Sequence, residues 1–173
     1  LNYRVTGSTA VELTGYVAKP TGILDIPATV SYEGKNFDVT AIGESAFESC
    51  DGITLLTIPN TVKTIGIQAF YLCTGILELT IPDSVTKIGI YAFGWCSGLL
   101  QLTIGNGVTD IERMAFQYCK KLQQVTLGNN VATIGESAFD SCEQLKQISI
   151  PESVTDIGSG AFGNCPALTA ITV

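Results

Sequence analysis

The chain has 173 residues, 46% of them hydrophobic and only 14% charged, with 18 glycines, enough apolar material for one domain with a continuous core. Its formal net charge of −7 argues against nucleic acid, because phosphate binding needs clustered Lys and Arg, and against electrostatic docking on anionic lipid. No apolar run approaches the roughly 20 residues that a membrane-spanning helix requires.

The chain opens at Leu1, without Met and without a charged segment followed by an apolar one, and closes at Val173 inside a repeat. The expectation is a processed or trimmed piece of a longer protein, with any export signal outside it. Its first 38 residues, Leu1 to Asp38, depart from the pattern that follows. Ile26-Pro27 and Val30 have the spacing of Ile58-Pro59 and Val62, so a degenerate repeat starts here. Ile42 then arrives nine residues later than Ile65 does after Ile58. The insert contains Ser31-Tyr32-Glu33-Gly34-Lys35-Asn36-Phe37, two extended arms about a glycine turn, which predicts a β-hairpin. A solenoid must cover its apolar end, so residues 1–38 are expected to form a β-rich N-terminal cap.

From Val39 to Val173 one unit recurs every 23 residues. Ala-Phe stands at Ala46-Phe47, Ala69-Phe70, Ala92-Phe93, Ala115-Phe116, Ala138-Phe139 and Ala161-Phe162. Six cysteines (Cys50, Cys73, Cys96, Cys119, Cys142, Cys165) keep the same step. Within one unit, Leu77-Glu78-Leu79-Thr80-Ile81 reads as a strand with Leu79 and Ile81 inward and Thr80 outward. Pro82 ends it, and Val85 and Ile88 supply a second short extended piece. After Gly89, the spacing of Ala92, Phe93 and Cys96 predicts a helix of one or two turns. Each unit carries an apolar stripe that only a stacked neighbour can bury, so six coils, the last truncated, are expected to form an α/β solenoid.

The unit Leu-x-x-Leu-Thr-Ile-Pro-x-Ser-Val-x-x-Ile-Gly-x-x-Ala-Phe-x-x-Cys, one copy of which runs from Ile76 to Cys96, resembles the BspA-like subclass of leucine-rich repeats. Leu79, Pro82, Ser84, Gly89 and Ala92-Phe93 carry the resemblance; Gly105 and Gly128 replace the proline and Glu112 the glycine. Glu112 suggests that this site does not require a positive φ. The resemblance implies a right-handed superhelix of short parallel strands and short helices, and a protein secreted by or attached to the surface of bacteria. It also implies adhesion and host-protein binding, and brings no catalytic residues and no cofactor.

The residues themselves offer little chemistry. Without histidine there is no Ser/His/Asp or Cys/His catalysis and no His-based metal site. Gly105-Asn106-Gly107 is a turn between strands rather than a phosphate loop. Ser84 and Lys87 have the Ser-x-x-Lys spacing of a lysine-activated serine, but lie in the body of a repeat. The cysteines fall into one column with parallel side chains, which suits neither the disulfide torsion nor tetrahedral zinc. Six free, buried thiols are expected.

Two surfaces remain as candidates for a partner. The first lies two residues after Phe, where Ser49, Leu72, Trp95, Tyr118, Ser141 and Asn164 form a column with bulky residues in the middle. Leu72, Trp95 and Tyr118, with Tyr71, Tyr91 and Met114 nearby, stand on the outer surface of the expected helices. They form either an exposed binding patch or a cluster in which the rings cover one another and the backbone. The second is the outward strand face, with Thr80, Thr103 and Thr126 in one column and Gln101, Gln124 and Gln147 in the next, where Leu55 and Glu78 also fall. That face is either a packing ladder or a ligand platform. The leading functional reading is a monomeric, non-catalytic binding and adhesion module, extracellular or on a bacterial cell surface. Its partner would be a protein, such as a host matrix or surface protein, or another macromolecule. A structural spacer and an intracellular scaffold are the alternatives, the latter because six unpaired cysteines suit a reducing compartment.

Overall fold

The computed structural model describes residues 1–173. Sixteen strands account for all of the regular structure. The cap contains β1 (Asn2–Val5), β2 (Ala10–Gly15), β3 (Gly22–Asp25), β4 (Thr29–Tyr32) and the first half of β5 (Lys35–Ile42). Then come β6 (Ile53–Thr57), β7 (Thr64–Ile65), β8 (Glu78–Ile81), β9 (Lys87–Ile88), β10 (Gln101–Ile104) and β11 (Asp110–Ile111). The remainder are β12 (Gln124–Thr126), β13 (Thr133–Ile134), β14 (Gln147–Ser149), β15 (Asp156–Ile157) and β16 (Ala170–Thr172).

The result is a β-solenoid of about six turns with three faces. One is the strand face, built from β3, β6, β8, β10, β12, β14 and β16. A turn such as Pro82–Val85, closed by the Val85 N–H donating to the Pro82 carbonyl at 3.1 Å, leads to a second sheet. There the parallel strands β5, β7, β9, β11, β13 and β15 pair in register, with Ile65, Ile88, Ile111, Ile134 and Ile157 aligned one below the next. The third face runs from Gly89 to Cys96 and its equivalents.

That third face corrects the expected α/β class. It contains no helix. In a helix each N–H bonds the carbonyl four residues back. Here alternate N–H groups leave the coil: Phe47 donates to Ala69, Phe70 to Ala92 and Phe93 to Ala115, each at 2.8 Å. The intervening N–H groups close local turns, as Cys96 does to Phe93. A backbone that divides its donors in this way must turn left-handed at every fourth residue. Hence Tyr91 and Trp95 both carry positive φ, 55° and 61°. The near-helical spacing of Ala92, Phe93 and Cys96 reflects a chain that winds tightly, with its ladder running between coils.

The core is one continuous column system. Phe47, Phe70, Phe93, Phe116 and Phe139 are fully buried and stack face to face with centroids 5.1 to 5.5 Å apart. Tyr16 of the cap takes the next place in the pile, 6.2 Å from Phe47. At the other end Phe162, Cys165 and Leu168 are only half-buried, and Ile157 and Ile171 are exposed. Residues Tyr32 to Lys35 form the tip of the β4–β5 hairpin, with Glu33 and Gly34 both at positive φ as a two-residue hairpin turn requires.

The glycine column is explained by space. Gly43, Gly66, Gly89, Gly135 and Gly158 do not have positive φ, but a Cβ on Gly66 would sit 2.8 Å from the backbone of Gly43 and Glu44. Glu112, the exception, keeps its N–H bond to Ile88 at 3.0 Å and turns its carboxylate to the Ile90 N–H at 3.1 Å and to Lys87 Nζ at 2.7 Å.

Candidate binding surfaces

The aromatic candidates come together on the turn face, in two groups. Trp95 and Tyr118 stack with centroids 4.2 Å apart and planes at 23°. Stacking along the coil column uses up the facing surfaces of the two rings. Tyr71 and Tyr91 meet edge to face at 5.8 Å and close over Gly94, where a Cβ would lie 2.9 Å from Tyr91 and 3.2 Å from Tyr71. Leu72, Tyr71, Tyr91, Met114 and Tyr118 are half-buried, and Trp95 alone reaches 36% exposure. Towards the C-terminal end the same face becomes polar. Asp140, buried, accepts hydrogen bonds from Gln117 (3.0 Å), Ser141 (3.1 Å) and Asn164 (2.8 Å). Its oxygens are already occupied.

The strand face is different. Glu78, Thr80, Gln101, Thr103, Gln124, Thr126 and Gln147 are all exposed and stand in register on neighbouring coils. This face also carries residues not singled out from the sequence: Ile23 is 70% exposed, Leu77 49%, and Leu55 beside them 48%. Strict alternation would align Leu77 with Leu79. Instead Ile76 is the buried residue, and Leu77 opens to solvent just before β8 starts. The signal was in the column itself, which continues from Leu77 through Leu100 to Gln123, Lys146 and Thr169. A core position does not become Gln and Lys.

The strand face is not one sheet. Ladders join β8 to β10 to β12 and β14 to β16, while none joins β6 to β8 or β12 to β14. Leu55 and Leu77 lie on opposite sides of the first open seam. A groove of about 570 Å³ lies at the second, lined mainly by Gln123, Gln124, Thr126, Lys146, Gln147 and Ser149.

The remaining chemistry is absorbed by the fold. Ser84 Oγ is buried without a hydrogen-bond partner, while Lys87 is engaged by Glu112, whose hydrogen bond and charge raise the lysine pKa; such an ammonium is no base for the serine. The thiols of Cys73, Cys96, Cys119, Cys142 and Cys165 each donate to a phenylalanine carbonyl of the preceding coil, at 3.2 to 3.5 Å. Burial pushes Cys73 up to about 12 and Cys96, Cys119 and Cys142 well above the ordinary thiol range. All six cysteines are free, and Cys165 is half-buried rather than buried.

In-register parallel coils, a single stacked core and open, regularly spaced outer columns define a repeat-built solenoid of the kind that generally mediates protein–protein interaction. The BspA type leucine rich repeat region matches residues 40–169 in 6 copies, and the chain belongs to that family. Proteins of this repeat class are generally non-catalytic. None of the curated proteins matches the chain. Among solved structures, a leucine-rich repeat protein from Bacteroides ovatus ATCC 8483 is 30% identical with a TM-score of 0.70, over 99% of this chain and 51% of that one. A leucine rich cell surface protein from Faecalibacterium prausnitzii A2-165 is 34% identical with a TM-score of 0.72, over 98% of this chain and 52% of that one. The leucine rich repeat protein of T. pallidum is 25% identical with a TM-score of 0.66, over 98% and 67%. The chain thus spans about half the length of the first two. No helix is long and apolar enough to cross a membrane.

Proposed function

We propose that this chain is a non-catalytic protein-binding module of a secreted or surface-attached bacterial protein, serving adhesion, and that its partner meets the strand face. One observation carries the reading. Ile23, Leu55 and Leu77 stand in water on an otherwise polar, regularly spaced face, where exposed aliphatic side chains contribute nothing to the core. The family match and the cell-surface neighbour from Faecalibacterium support the extracellular placement. Burial of the thiols removes the main objection to it, since a buried, protonated thiol is a poor partner for oxidation. Trp95 with Tyr118 is the second candidate surface, favoured by the exposure of Trp95 alone.

The test is capture from a panel of immobilised host matrix and serum proteins. Wild type retains a partner, the double variant Leu55→Asp/Leu77→Asp loses it with an unchanged melting temperature, and Trp95→Ala keeps it. Loss with Trp95→Ala alone would move the site to the turn face. A wild type that captures nothing from the panel would make the solenoid a spacer.

A further inference from the structure

Successive coils on the strand face are tied by a recurring bond at one column. Leu100 N–H donates to Leu77 at 2.8 Å, Gln123 to Leu100 at 2.9 Å and Thr169 to Lys146 at 3.0 Å. The bond from Lys146 N–H to Gln123 that would complete the series is missing, and β12 and β14 share no ladder. The same two coils are fully joined elsewhere. Thr133 and Ile134 pair with Asp156 and Ile157 in the second sheet, and Phe139 N–H donates to Ala161 at 2.7 Å on the turn face. The opening is therefore confined to the strand face, where it leaves backbone donors and acceptors facing the groove. Lys146 is the only charged residue lining that groove, in a chain of net charge −7, and the lysine of the preceding coil, Lys120, is paired with Glu143. The rest of the lining is amide and hydroxyl, without an aromatic ring on which a sugar would stack.

We infer that the β12–β14 seam is a slot for an extended, acidic segment of a partner polypeptide. The segment's peptide groups meet the unpaired backbone groups and the Gln123, Gln124 and Gln147 amides, and a carboxylate on it meets the Lys146 ammonium. The inference rests on the strand-face reading and gives that face a direction: apolar contact at Leu55 and Leu77, acidic contact at Lys146.

The probes are two capped pentapeptides, acetyl-Thr-Val-Asp-Val-Thr-amide and its analogue with Lys for Asp, followed by amide chemical shifts of the labelled protein. The acidic peptide is expected to shift Val125, Lys146, Gln147 and Ile148, and to bind roughly fivefold more tightly than the basic one, the value of a single solvent-accessible ion pair. Lys146→Gln is expected to abolish that preference while leaving the spectrum of the free protein otherwise intact. Equal binding of both peptides, or shifts confined to residues around Leu55 and Leu77, would overturn the slot and leave the strand-face reading standing. An acidic oligogalacturonide that shifts the same residues more strongly than the peptide would overturn the polypeptide assignment. The strand-face reading itself fails only in the capture experiment with Leu55→Asp/Leu77→Asp.

Discussion

Twelve non-glycine residues hold positive φ, and eleven of them lie on the turn face, in the two columns that include Tyr91, Met114, Leu72, Trp95 and Tyr118. None is β-branched, because a branched Cβ clashes most in the left-handed region. Such residues are strained by roughly 1–2 kcal/mol each, offset here by bonds to the next coil. Trp95→Gly is therefore expected to be more stable than Trp95→Ala by about 1 kcal/mol in thermal melts, and Leu72→Val less stable than Leu72→Ala. Equal melting temperatures within each pair would refute the strain. The thiols make a second prediction at this scale. Their folded pKa values are raised, so their contribution to stability is complete below the unfolded value of about 8.5 and is lost as pH rises towards the folded one, about 12 for Cys73. Four strongly raised thiols would give a slope of up to roughly 5 kcal/mol per pH unit above pH 9. Cys96→Ser retains a donor for the Phe70 carbonyl but does not titrate, and urea midpoints from pH 8 to 11 should fall less steeply for it than for wild type. Parallel curves would mean that the thiols do not control alkaline unfolding.

At the scale of the element, the decisive competition is between local and inter-coil hydrogen bonds. A segment such as Gly89–Cys96 has the apolar spacing of a short helix, yet an isolated helix of one or two turns is not stable in water. Sending alternate N–H groups to the adjacent coil satisfies them without that nucleation cost. The same close approach excludes side chains from the glycine column. Gly66→Ala, whose Cβ would lie within 3.0 Å of three backbone atoms of the preceding coil, is expected to cost about 2 kcal/mol or more by denaturant titration. A change below roughly 0.5 kcal/mol would show that the coils separate freely. Glu112 marks the one place where this spacing already accommodates a side chain, and there the Tyr91 N–H bond to Arg113 lengthens to 3.3 Å.

For the whole molecule, nearest-neighbour stacking makes position along the axis matter more than residue type. Phe93 is enclosed by Phe70 and Phe116, whereas Phe162 has a ring on one side only and is half-buried. Phe93→Ala should cost about 3–5 kcal/mol and Phe162→Ala roughly 1–2. Similar losses for the two would contradict a one-dimensional array. The open seams belong to this scale too, since only the relation between coils can break a ladder while the strands on both sides keep theirs.

The strict period of Ala-Phe and Cys, with Leu79 and Ile81 alternating around Thr80, sufficed for the solenoid, its columns and the burial of Phe and Cys. Each follows from like residues stacking on like, a constraint written into the repeat itself. Its apolar spacing could not separate a helix from tight non-helical turns, because both bury Ala92, Phe93 and Cys96; the destination of the N–H groups decides, and that lies 22 or 23 residues away. The candidate surfaces were legible in part. The strand-face Thr and Gln columns emerge exposed as read, and the turn-face aromatics do assemble, but the mutual stacking of Trp95 on Tyr118 and the exposure of Leu77 depend on how neighbouring coils sit. The β12–β14 opening was in no single residue, since it is a relation between two coils whose sequences each look ordinary.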